Sequence, residues 1–130
     1  MSENADTADF PDSRYLAGIE LFNRGEFFEA HEVWEELWHE CASADRRFYQ
    51  ALIQAAVAAY HWSRGNATGA SRLYHSGRKY MEPYRPVYRG LAVDAFWNAM
   101  AAHLAGALSE SNAVGAPVPV ITLEPSKRRS

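Results

Sequence analysis

The stretch Leu21–Cys41, LFNRGEFFEAHEVWEELWHEC, decides how the rest of the chain reads. Its first part carries an apolar stripe ending at Asn23, then Arg24-Gly25, a glycine that can take the left-handed conformation needed to stop a helix. Immediately afterwards apolar residues return at steps of three and four: Phe27, Ala30, Val33, Trp34, Leu37, Trp38 and Cys41 fall on one side of a helical wheel. Phe28, His31, Glu32, Glu35 and His39 fall on the other. Two amphipathic helices joined by a glycine turn predict an antiparallel helical hairpin.

Forty residues later the signal repeats. Arg24-Gly25, Ala30 and Trp34 are echoed by Arg64-Gly65, Ala70 and Tyr74. Either duplication or independent use of the same turn chemistry would give this echo. Working outward, the first helix is predicted over 12–23 and the second over 26–41. The third spans 45–64, apolar nearly all round and therefore central. After the Gly65-Asn66 cap the fourth covers 67–81 and is ended by Pro83 and Pro86. The fifth, over 91–108, has Val93, Trp97, Met100, Leu104 and Leu108 on one face. The expected fold is all-α: a five-helix bundle of two stacked antiparallel hairpins, tetratricopeptide-like, plus a closing helix. Residues 1–11 are expected as a flexible N-terminal tail, 12–110 as one helical domain, and 111–130 as a flexible or extended C-terminal tail, with 118–123 lying in a surface groove.

Composition narrows the function classes. A chain of 130 residues, 48% hydrophobic, suits one cooperative core. A single cysteine, Cys41, supplies neither an internal disulfide nor a thiolate cluster, which points to a reducing cytoplasmic setting. No apolar run reaches the roughly 18 residues of a membrane span. The net charge of -3 disfavours a nucleic-acid partner.

One constellation has the residue types for chemistry. Glu29, His31, Glu32, Glu35, Glu36 and His39 crowd three turns of the second helix, and His31, Glu35 and His39 form a ladder at four-residue spacing. Arg47, Gln50, Gln54 and His61 share a sector of the third helix that could face them. Imidazole and carboxylate together suit a divalent metal, for which His31, Glu35 and His61 are the candidate ligands. They also suit acid/base work, for which Glu32 and His31 are the candidate catalytic groups. Two blander readings stand beside these: a solvated acidic face, and a buried network in which His31 and a glutamate bond Gln54 or His61. Two known motifs fail here. His31-Glu32-Val33-Trp34-Glu35 lacks the second histidine of a zinc metalloprotease helix, and Glu36-x-x-His39 lacks the second copy that a di-iron bundle requires. The four tryptophans read as core.

A further segment, 78–89, alternates tyrosines with cations: Tyr80, Tyr84, Arg85, Tyr88 and Arg89 could stack on bases and contact phosphates, or cap the bundle end with arginines stacked on the rings.

Taken together, Phe22-Asn23-x-Gly25-x-Phe27-Phe28-Glu29-Ala30-His31-Glu32-Val33-Trp34-Glu35, Leu52-Ile53-Gln54-x-Ala56 and His61-x-x-x-Gly65-Asn66-x-x-Gly69-Ala70 resemble the family catalogued as domain of unknown function 309, over roughly 15–108. The resemblance implies an all-α prokaryotic protein whose Glu-Ala-His-Glu helix packs on the Leu-Ile-Gln helix. It singles out Glu29, His31, Glu32, Glu35, Gln54 and His61, and implies no activity. Three functions follow, in order: an interaction or scaffold module, as a homodimer or with a protein partner; a metal-binding protein or metal-dependent hydrolase; weak RNA binding by the 78–89 segment.

Overall fold

The computed structural model describes residues 12–109 and 115–125. The expected tail over 1–11 and the outer parts of 111–130 lie outside the described residues. Helix α1 (Ser13–Asn23) begins at Asp12, whose carboxylate accepts the Arg14 backbone N–H at 2.8 Å. It buries Tyr15, Gly18, Ile19 and Phe22. Gly25, at φ +80°, donates to the Phe22 carbonyl while Glu26 N–H reaches back to Leu21. This double bond satisfies carbonyls that the helix end would otherwise leave open. Helix α2 (Phe27–Glu40) follows at once and buries Phe27, Ala30, Trp34 and Leu37. Val33, Trp38 and Cys41 sit at the edge of the core rather than inside it.

Helix α3 (Arg46–Ser63) is the central element, with nine buried side chains from Phe48 to Ala59. Five of those nine are alanines, which lets α2 and α4 approach it closely. At its end Gly65, at φ +82°, repeats the Gly25 turn, bonding Trp62 while Asn66 N–H bonds His61. Helix α4 (Ala67–Met81) then packs back along α3 and buries Ala70, Tyr74, Gly77 and Met81. The two predicted hairpins therefore form and stack through α2 and α3.

Beyond α4 the chain departs from expectation. A 3-10 turn (Glu82–Tyr84) leads into a small antiparallel ribbon, β1 (Val87–Tyr88) with β2 (Leu91–Ala92). Arg89 and Gly90 both have positive φ, 47° and 81°, the conformation that a two-residue hairpin loop requires. The closing helix begins at Val93 because Leu91 and Ala92 are committed to the ribbon. It runs as α5 (Val93–His103) and breaks at Leu104 into α6 (Ala105–Leu108), so the described residues hold six helices where five are expected. Residues 115–125 carry no helix or strand. They lie against the bundle: Ile121 is buried, and its backbone exchanges hydrogen bonds with the Asn23 side chain at 2.8 and 3.0 Å. Among the described residues no helix is long and apolar enough to cross a membrane.

Candidate functional site: the acidic face of α2

Helix periodicity puts the polar residues of α2 opposite Ala30, Trp34 and Leu37, and the structure leaves Glu29, Glu32, Glu36 and His39 exposed. His31 and Glu35 are half-buried. His31 Nδ1 lies 2.9 Å from the Phe28 carbonyl, which can only accept, so Nδ1 is the donor of this bond. Nε2 lies 3.6 Å from Glu35 Oε2, a contact that attracts only when the imidazole is doubly protonated. The ring also lies against Phe28 at 5.1 Å, and Phe28 in turn contacts Tyr60 of α3 at 5.6 Å.

The helix-three residues do not turn toward this face as a group. Gln54 lies against Gly77 of α4, with its Oε1 buried and without a hydrogen-bond partner. Arg47 stacks on Tyr80 at 4.5 Å. His61 Nδ1 accepts from the Asn66 amide at 3.3 Å, while Asn66 Oδ1 caps Gly69 N–H at 2.9 Å, so His61 belongs to the second interhelical turn. Among the described residues no cluster of three or more His, Cys, Asp or Glu is placed to hold a metal ion. What the arrangement offers is an aromatic platform of Phe28, His31 and Tyr60 bordered by carboxylates. Of the large apolar side chains among the described residues, Leu16, Phe28, Val87 and Val120 are exposed, and Phe28 at 45% is the aromatic one of these four.

The tyrosine-arginine segment is tied into the bundle. Tyr84 and Tyr88 pack edge-on to Phe48 at 5.4 and 4.9 Å. Tyr84 OH donates to the Ala44 carbonyl and Tyr88 OH to Asp45. Burial, followed by the Asp45 carboxylate, pushes the Tyr88 phenol up to about 12, so it stays a neutral donor. Arg89 pairs with the same Asp45 at 2.6 Å, and Arg85 pairs with Asp94 at 2.6 Å. Two of the cations available for phosphate are thus already engaged with carboxylates. Trp34 and Trp97 are core residues, whereas Trp38 and Trp62 are half-buried; Arg46 stacks on Trp38 at 4.1 Å.

One polar region has no counterpart in the sequence reading. Arg78 and Glu82, at the end of α4 and the turn after it, line a cavity of about 330 Å³ with Arg85, Asp94, Trp97 and Asn98. No spacing rule links 78–85 to 94–98. The only hint is a polar i,i+4 pair, Arg78 and Glu82, beside a bulky Trp97.

The model of a family described as Domain of unknown function (DUF309) matches residues 15–73, a little under half of the chain, which is similar to that family over this segment. A particular relative, the Uncharacterized protein YpuF of Bacillus subtilis (strain 168), is 34% identical over 77 residues, which are 58% of this chain and 44% of that protein. The chain thus matches less than half the length of that relative. The family match ends at Leu73 within α4, short of the expected Leu108, so the ribbon and closing helices stand outside it.

Proposed function

We propose that the chain is an interaction module that docks a partner on the acidic face of α2. The observation that carries this reading is Phe28, a ring 45% exposed yet held by His31 and Tyr60, with exposed Glu29 and Glu32 beside it. A fixed aromatic with a polar border is the arrangement from which binding energy is concentrated at protein interfaces. The charge selects the partner's chemistry: a basic segment that also offers an apolar side chain. A second copy of the chain would set carboxylates against carboxylates, which argues against a homodimer through this face. The test is a photocrosslinking phenylalanine analogue at position 28 in cells, with the same analogue at exposed His75 as control. The protein captured at position 28 is then titrated against wild type and Glu32→Lys. Binding weakened about tenfold by the charge reversal supports the reading. Equal affinity, or no adduct beyond the control, removes it.

A metal-dependent role for His31, Glu35 and His61, with Glu32 or His31 as acid/base group, competes with this reading, and the 3.6 Å approach of His31 to Glu35 speaks for it. Elemental analysis of tag-free protein separates the two. Stoichiometric metal in wild type that is lost in both His31→Ala and His61→Ala would replace the docking reading. RNA binding by Tyr80, Tyr84, Arg85, Tyr88 and Arg89 has least support, because Arg85 and Arg89 hold carboxylate partners.

A further inference from the structure

The cavity between α4, the 3-10 turn and α5 contains two unmatched charges of opposite sign. Arg78 donates to Tyr74 OH at 2.5 Å, to the Trp97 carbonyl at 3.4 Å and to Asn98 Oδ1 at 2.9 Å, all neutral acceptors. Among the described residues no carboxylate comes within ion-pair distance of it, although Glu82 is one helical turn away and lines the same cavity. Glu82 likewise has no cation within 4 Å among those residues. The other charged pair of the wall, Arg85 and Asp94, is closed on itself through two contacts of 2.6 and 3.2 Å. Trp97, 1% exposed, forms part of the wall, and its carbonyl accepts from Arg78.

We propose that this cavity binds a small zwitterion of amino-acid size: its carboxylate on Arg78, its ammonium on Glu82, and its side chain against Val93 and Trp97. A ligand carrying both charges neutralises Arg78 and Glu82 together, whereas a simple anion would leave Glu82 uncompensated beside it. The volume of about 330 Å³ is ample for such a molecule. The site uses none of the α2 face and stands independently of the docking reading.

The test is a titration of the full chain with L-leucine, with acetate and butylamine as single-charge controls, followed by the Trp97 indole N–H resonance. Wild type should show a saturable shift with L-leucine at least tenfold tighter than with either control. Arg78→Gln should abolish it. Because Arg78 also holds Tyr74 and Asn98, Glu82→Gln is the companion variant. It should weaken L-leucine at least fivefold and bind acetate no more weakly than wild type does. Absence of a saturable shift in wild type, acetate binding as tightly as L-leucine, or indifference to Glu82→Gln would each overturn the proposal.

Discussion

The two interhelical turns use the same backbone and are closed by different means. Gly25 and Gly65 have the same left-handed φ within 2°, and each turn makes the same pair of backward hydrogen bonds. In the first hairpin, the indole of Trp34 lies against Gly18, where a Cβ would overlap it, and its Nε1–H donates to the Tyr15 carbonyl at 3.1 Å. That hairpin is locked by its own side chain. In the second, Tyr74 stands in the equivalent position but packs on Trp97 of α5 at 5.7 Å, with Gly77 making room for that indole. The second hairpin needs a later helix to complete it. A repeated turn therefore does not imply a repeated unit of stability.

The largest expected effect tests the lock itself. Trp34→Ala should cost about 4 kcal/mol in chemical denaturation, and a Gly18→Ala variant about 2 kcal/mol, because the indole must move. Near-wild-type stability in either would mean that the first hairpin is not closed this way. Second, Asp45→Ala strips the shared acceptor from Tyr88 and Arg89 and should cost about 2 kcal/mol; because the ribbon abuts α5, amide exchange should rise in the second half of the molecule more than in α1 and α2. Third, Gly25→Ala and Gly65→Ala should each cost about 1 kcal/mol and agree closely, since the strain is the same positive φ with open space around the methyl. Clearly unequal losses would show the turns differ in more than side-chain closure.

A smaller contrast lies at the caps. Asn66 caps Gly69 with its side chain, whereas Glu26 makes no such bond. Asn66→Ala should lower the midpoint by about 1 kcal/mol, and Glu26→Ser should add a fraction of that. The smallest effect concerns acid. Hydrogen bonding to Arg14 holds the Asp12 and Glu40 carboxyls below their ordinary range. Their contribution is therefore present above the unfolded carboxylate values and lost as pH falls through the lowered folded ones. Arg14→Gln should lower the neutral plateau slightly and leave the acid end unchanged, flattening the limb between them.

The helices were legible because their punctuation is local: Gly25, Gly65 and Asn66 act within a few residues of where they stand. The ribbon was missed because Arg89-Gly90 lacks the Asn-Gly signature and the paired strands are two residues each. For the candidate site, a wheel correctly set the glutamates of α2 on its outer side. It could not say which neighbour Gln54 would meet, and Gln54 went to Gly77 rather than His31, a choice made by how α4 packs. The Arg78 cavity was invisible for the same reason, since its walls come from separate segments.

The clamp between Asn23 and Ile121 joins positions 98 residues apart. On a ribosome, which adds residues from the N-terminus onward, both hairpins can form from contacts already synthesised, while the core seat filled by Ile121 stays empty until that residue emerges. Synthesis order thus leaves the first hairpin waiting longest for its final seal, and any nascent chain stalled before position 121 would display an uncovered apolar edge beside Asn23.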